Sequence, residues 1–276
     1  MLQINKERKA GQVSTPHDVA QYMINKLFRG ESLDSCEKIL DPGTGTGVFI
    51  ENILHYCDEN RKPIPKITGV EKDKALAHTT QAKFANRNEI TIRHENFLKT
   101  EYKEKFDYVI SNPPYVSINH LNEQQKKYYR EAFNSAQNRF DLYMLFFEKA
   151  MNLLKKNGRM VFITPEKFEY TQTASELRSI LAEYHIHEID HLSDEVFKGL
   201  TTYPTISVIE RCPKKNTKVI NRERKEFEAD LPTDGSSWIS HLNKRDTELN
   251  YGNTLNKVCD RISCGVATGR DSVFIR

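Results

Sequence analysis

The tetrapeptide Asn112-Pro113-Pro114-Tyr115 joins residue types that carry chemistry of their own. It follows the apolar run Phe106-Asp107-Tyr108-Val109-Ile110, which reads as a strand. Consecutive prolines lack N–H donors and fix φ at about −65°, so the strand stops there. The result is a rigid, extended turn offering one amide and one aromatic ring at a sheet edge. Such a pair can grip a planar nitrogen heterocycle, the amide on its polar rim and the ring on its face.

Other strand ends carry related groups. Ile39-Leu40-Asp41-Pro42-Gly43-Thr44-Gly45-Thr46-Gly47-Val48-Phe49 reads as strand, glycine turn and helix, which lets backbone approach a ligand closely. Gly43, Gly45 and Gly47 make GxGxG rather than the GxGxxG of dinucleotide binders, and no P-loop lysine follows. The Asp41 carboxylate suits a cationic ligand better than a pyrophosphate; a tight packing turn would need the same glycines. Glu71, closing Thr68-Gly69-Val70-Glu71, stands roughly 25 residues beyond, where such folds hold ribose hydroxyls. A helix N-terminus would also favour an acid at that position. Glu95-Asn96-Phe97 adds an amide and a ring, although Asn96 alone would pass for a turn residue.

The elements that must position these groups alternate. Strands are expected at 38–41, 67–71, 90–94, 106–111, 159–164, 186–192 and 205–209, with helices at 48–57, 73–87, 122–133, 140–156 and 172–184. Leu142, Leu145, Phe146, Ala150 and Leu153 share one helical face, and Asn157-Gly158 should stop that helix. Thr173-Ala174-Ser175-Glu176 has the spacing of a capping box. This alternation predicts an α/β fold, an open and mostly parallel sheet covered on both faces. The stretch from Arg211 to Asp230 is rich in charge and poor in apolar residues; it reads as a linker, or as a strip contacting phosphates.

Composition sets outer bounds. The 276 residues suffice for one large core, and a net charge of +3 says little about partners. Five scattered cysteines without a CxxC pair point to a reducing cytoplasm, not to a disulfide framework or zinc site. The histidines lack metal-ligand spacing, and His185 and His187 fall on one face of a strand. The N-terminal residues are too polar for a signal peptide, and no apolar run reaches membrane-spanning length. A cytoplasmic location is expected.

Taken in order, these residues resemble the S-adenosylmethionine-dependent methyltransferases. Asn112 to Tyr115 matches the (D/N/S)PP(Y/F/W) signature of amino-methyltransferases, above all those acting on the exocyclic N6 amine of adenine in DNA. Gly11-Gln12-Val13-Ser14-Thr15-Pro16 looks like their methionine-binding motif. Its place ahead of the glycine turn is the order of the gamma group, the TaqI-type modification enzymes of restriction–modification systems. Phe140-Asp141-Leu142-Tyr143, the segment Gly158 to Pro165, Glu195-Val196-Phe197 and the segment Thr205 to Ile209 resemble later blocks, so the likeness covers residues 11–210.

The resemblance implies a Rossmann-like, seven-stranded catalytic sheet and S-adenosyl-L-methionine as cofactor. Thr15 would contact the methionine carboxylate, and Asp41 with Gly43, Gly45 and Gly47 would lie beneath the methionine part. Glu71 would bind the ribose, Asn96 the adenine with Phe97 beside it; the family usually has Asp at position 96. Asn112 and Pro113, with Pro114 and Tyr115, would form the catalytic loop, with Tyr115 stacking on the flipped base. Phe197 would be a second aromatic contact, with Tyr203 as alternative. Ring-carbon methylation of cytosine needs a Pro-Cys nucleophile, and only Cys212-Pro213 occurs.

The expected layout is a catalytic domain at 1–210, a charged linker at 211–237 and a partial target-recognition domain at 238–276. The segment Ile262 to Ile275 resembles the start of that domain, which in the family is much longer, so a truncated chain is expected. Double-stranded DNA is the expected substrate, with a separate specificity subunit or cognate restriction endonuclease as partner. Rival readings are a protein-glutamine or RNA-adenine methyltransferase, a nicotinamide dehydrogenase and a catalytically silent cofactor-binding remnant.

Overall fold

A computed structural model describes residues 14–197 and 203–243. The expected contributions of Gly11 to Val13 and of the tail segment at 262–275 lie outside the described residues. The elements in order are α1 (His17–Phe28), β1 (Lys38–Asp41), α2 (Val48–Glu59), β2 (Lys66–Glu71), α3 (Lys74–Lys83), β3 (Ile90–His94), β4 (Phe106–Ser111), α4 (Glu123–Ala132), α5 (Leu142–Leu153) and β5 (Leu154–Pro165). They continue with α6 (Ser175–Ala182), β6 (His185–His191), β7 (Pro204–Glu210), β8 (Thr217–Ile220), β9 (Glu226–Ala229) and the short α7 (Ile239–Leu242).

All described strands form one sheet in the order β3-β2-β1-β4-β5-β7-β6-β8-β9. β3, β2, β1, β4 and β5 run parallel, β7 is antiparallel to both β5 and β6, and β8 is parallel to β6. The carboxyl ends of β1, β2, β3 and β4 therefore share one edge, where Asp41, Glu71 and Asn112 leave their strands.

Alternation within the strands feeds two cores. Leu40, Val109, Met160 and Phe162 join Phe147 and Leu177 on one face, while Ile39, Ile110, Val161 and Ile163 join Met23, Leu27 and Phe49 on the other. Those last three come from α1 and α2, which cover that face. α1 buries Val19, Ala20, Met23, Ile24, Leu27 and Phe28, a helical spacing that the strand-centred reading passed over. Among the described residues no helix is long and apolar enough to cross a membrane.

Four expectations are corrected. The sheet has nine strands rather than seven, because residues 211–230 supply β8 and β9 instead of a linker. Several of their charges pair within the protein: Arg224 reaches buried Asp190 (2.7 Å), Lys218 reaches Glu226 (2.9 Å) and Lys214 reaches Asp230 (2.8 Å). Residue 238 begins no separate unit either. Trp238 is fully buried against Phe168, its N–H donates to the Glu169 carbonyl, and the Arg178 guanidinium donates to the Gly235, Ser236, Phe168 and Thr171 carbonyls.

The third correction concerns the helix expected to end at Asn157-Gly158. It ends at Leu153, since Leu154 pairs with Phe106 and Lys155 reaches Asp107 at 2.8 Å. Asn157, at φ 63°, and Gly158 instead form an irregularity within β5. Lastly, α6 starts at Ser175 with no side-chain cap, because Gln172–Ala174 forms a separate 3-10 turn. A true capping box stands at Asn122 and Gln125, opening α4.

Candidate active site

A cleft of about 700 Å³ opens along the carboxyl edge of β1, β2, β3 and β4. Its floor is the turn between β1 and α2. Thr44 donates its hydroxyl to the Asp41 carbonyl (2.9 Å) and its N–H to the Val70 carbonyl (3.1 Å), which ties the turn to β2. A Cβ on Gly69 would stand 2.5 Å from Thr44 Oγ1, so β2 must carry glycine for the turn to lie on it. Gly47 caps α2 at φ 84°, and a Cβ there would meet the Phe84 ring at 2.7 Å.

Two acids flank this turn, Glu71 lining the cleft and Asp41 buried. Glu71 is 5% exposed, and its two carboxylate oxygens accept the N–H groups of Gly45 (3.0 Å) and Asp73 (2.7 Å). Those bonds orient it and leave lone pairs for hydroxyls of a ligand. Asp41 is wholly buried, and burial pushes its carboxyl up to about 8, with the Glu71 charge adding to the rise. The Gly43 N–H, 3.4 Å from Oδ1, and the Ser111 hydroxyl act in the opposite sense.

The far wall carries the β3 residues. Asn96 Oδ1 accepts the Leu98 N–H at 3.1 Å, and Phe97 lines the cleft while packing on Phe146, 5.0 Å between centroids. The segment after Tyr115 lines this end with His120, Gln125 and Tyr129; the sequence offered Lys126 to Arg130, with Tyr129 among them, as a stretch that could touch phosphates, and did not single out His120 or Gln125. His120 comes from a 3-10 turn, Ile118–His120, and Gln125 and Tyr129 from α4, whose amphipathic spacing was their only signal in sequence.

At the near end Asn112 follows β4, and its Nδ2 donates to Thr15 Oγ1 at 3.1 Å across 97 residues of chain. Asn112, Pro114 and Thr15 all line the cleft, whereas Pro113 is buried behind it. Tyr115 is turned inward: its hydroxyl donates to the Ile163 carbonyl (3.2 Å), its ring meets Tyr143 edge-on, and burial raises its phenol far above the ordinary value. Phe197 is 3% exposed within the apolar cluster that holds Ile163, Ile206 and Leu192, so its ring is not offered to a ligand. Tyr203 is 48% exposed, with the Arg222 guanidinium 4.9 Å from its ring centre.

Seven of the expected cofactor residues thus meet around one cavity. Thr15, Gly43, Gly45, Glu71, Asn96 and Phe97 line it, and Asp41 lies beneath it. Gly47 sits two residues beyond Gly45, holding the helix start. The donor set fits S-adenosylmethionine: an acid oriented for ribose hydroxyls, an amide and ring for adenine, glycine backbone for close approach, and a buried carboxyl suited to a sulfonium.

Comparison with known proteins agrees with this geometry. The chain is 27% identical over 225 residues to the Type II methyltransferase M.HincII of Haemophilus influenzae, covering 79% of this chain and 40% of that protein. It is 23% identical over 302 residues to the Type II methyltransferase M.AccI of Acinetobacter calcoaceticus, covering 99% of this chain and 54% of that one. The chain therefore spans about half or less of these relatives' length. In fold it is similar to a class I S-adenosylmethionine-dependent methyltransferase structure from Listeria monocytogenes, with TM-score 0.62 at 20% identity over 75% of this chain and 65% of that one. It is also similar to the type I restriction-modification methyltransferase subunit from Streptococcus thermophilus, with TM-score 0.63 at 18% identity over 83% and 51%. The family model for the Eco57I restriction-modification methylase matches residues 45–197. The chain belongs to the Eco57I restriction-modification methylase family.

Proposed function

We propose that this chain is the catalytic portion of a gamma-group DNA methyltransferase that modifies the exocyclic N6 amine of adenine. The observation that carries the reading is the placement of Asn112 and Pro114 on the same cleft as Glu71, Asn96 and the glycine turn. S-adenosylmethionine, when bound, supplies an electrophilic methyl group. Glu71 would hold its ribose, Asn96 and Phe97 its adenine, and Thr15 its carboxylate, above Asp41.

The adenine amine is a weak nucleophile because its lone pair is delocalised into the ring. Acceptance of its two N–H bonds by the Asn112 amide oxygen and the Pro113 carbonyl would favour a pyramidal nitrogen with an available lone pair. Fixing both reactants in line supplies on the order of 7–11 kcal/mol. Extruding the base from a duplex costs a few kcal/mol. Stacking on Tyr115 would return about 1–3 kcal/mol, once its ring turns from the inward position. Of the two rings considered for a second contact, Tyr203 is exposed and Phe197 is buried.

The curated relatives are longer than the matched portion, and sequence recognition is proposed to require further residues, a specificity subunit or a cognate restriction endonuclease. The test is incubation with labelled S-adenosylmethionine and unmethylated double-stranded DNA, followed by identification of the modified nucleoside. N6-methyl-2′-deoxyadenosine is expected, and Asn112→Ala should abolish it. Label on N4 of cytosine, on RNA or on protein would redirect the reading, and no transfer with intact cofactor binding would favour a silent cofactor-binding protein.

A further inference from the structure

We propose that Thr15 is a positioning residue for Asn112, fixing which end of its amide faces the substrate and coupling that orientation to occupancy of the donor end of the cleft. The proposal rests on the role given to Asn112 above.

An asparagine amide has two nearly isosteric ends of opposite hydrogen-bonding character, and rotation by half a turn exchanges them. A target amine needs the oxygen. Presented with the NH2 end it would meet donor against donor. Thr15 Oγ1 accepts from Asn112 Nδ2 at 3.1 Å, so the NH2 end is held on the Thr15 side and the carbonyl end is turned away from it.

Thr15 is well placed to act as a fixed reference. It is 5% exposed, its β-branch restricts χ1, and it directly precedes Pro16, the N-cap of α1 at φ −59°. The Pro16 carbonyl accepts the Ala20 N–H at 2.9 Å, which continues the chain into the helix without slack. α1 is itself anchored to the sheet, since Tyr22 donates to Asp190 at 2.6 Å and Lys26 pairs with Asp190 at 2.9 Å.

The coupling follows from the hydroxyl's inventory. While accepting from Asn112 it retains one O–H to donate, and Thr15 lines the cleft beside Ser14 and the glycine turn. An acceptor bound there, such as a carboxylate, would take that proton and polarise the hydroxyl. The oxygen then becomes a stronger acceptor for Asn112 Nδ2, because bonds in a chain reinforce one another. A filled donor site thus tightens the amide orientation that the target amine requires.

The full chain with 15N-labelled asparagine side chains tests this by NMR, the Asn112 signal being assigned by its loss in Asn112→Ala. In the wild type the Asn112 NH2 signal should shift when S-adenosylhomocysteine is added. In Thr15→Val, of unchanged melting temperature, the ligand-free signal should move and its response to S-adenosylhomocysteine should vanish; Thr15→Ser should restore both. Methyl transfer to unmethylated DNA should fall about tenfold in kcat for Thr15→Val and recover in Thr15→Ser, beyond any change in cofactor affinity. An Asn112 signal in Thr15→Val that matches the wild type, free and with S-adenosylhomocysteine, overturns the proposal even if cofactor affinity falls. If the wild type shows no response to S-adenosylhomocysteine, the cofactor reading fails, while the ligand-free comparison still decides the contact.

Discussion

Asp41 is a carboxyl whose chemistry departs far from its free state. Its carboxyl, raised to about 8 by burial and then by the Glu71 charge, keeps its proton at neutral pH in the free protein. Because the folded value lies above the ordinary carboxylate value, this group costs folding stability progressively as pH rises from about 4 to about 8. A sulfonium bound above it would favour the ionised form and expel the proton. Affinity for S-adenosylmethionine should therefore rise with pH up to about 8 and then level. S-adenosylhomocysteine, with a neutral sulfur and the same amino-acid end, should show a flatter profile. Calorimetry across pH checks this; parallel profiles for the two ligands would exclude a charge contact with Asp41. Asp41→Asn should make the profiles converge. Nothing in the residue order reveals this protonation state, since it depends on how completely the turn and β4 exclude water.

At the element scale, strands at 38–41, 90–94 and 106–111 coincide with the sequence expectation because apolar runs bounded by turn residues leave little choice. β8 and β9 escaped notice for a physical reason. Their apolar content is small, chiefly Val219, Ile220 and Phe227, and several of their charges find partners on β6 and on each other. The joint that locks them is Asp190, wholly buried on β6 and bonded to Lys26, Tyr22 and Arg224. Burial alone would raise its carboxyl, but Lys26 first and then the Tyr22 and Arg224 contacts hold it below the usual carboxylate value. Its contribution is present above the ordinary carboxylate value and is lost as pH falls through the folded one. Asp190→Asn removes one of the two counter-charges of Lys26 and leaves Glu188 as the other. A loss of about 1.5–3 kcal/mol is expected at neutral pH in denaturant titrations, narrowing in acid. A change under 1 kcal/mol would mean that the cluster behaves as a surface network.

On the scale of the whole molecule, residues 14–197 and 203–243 make one sheet with a core on each face, and the charged stretch after residue 210 belongs to it. Limited proteolysis discriminates this from the linker layout. Trypsin should cut slowly after Lys218, Arg222 and Arg224, within or beside the β8–β9 hairpin, and the chain should unfold as one transition for that region. A first cut there, releasing an intact 1–210 fragment, would restore the linker.

By itself the sequence determined the fold class and the cofactor. Those reside in short contiguous blocks, such as the glycine turn after Asp41 and the Asn-Pro-Pro-Tyr loop, whose local geometry is set by glycine and proline and whose order survives in one dimension. Tertiary structure alone decided that Thr15 holds the Asn112 amide across 97 residues, that Phe197 is buried while Tyr203 is exposed, and that a run of charges completes the sheet. Each of these is a contact between distant segments, and its energy depends on burial and on partners that no local stretch of sequence contains.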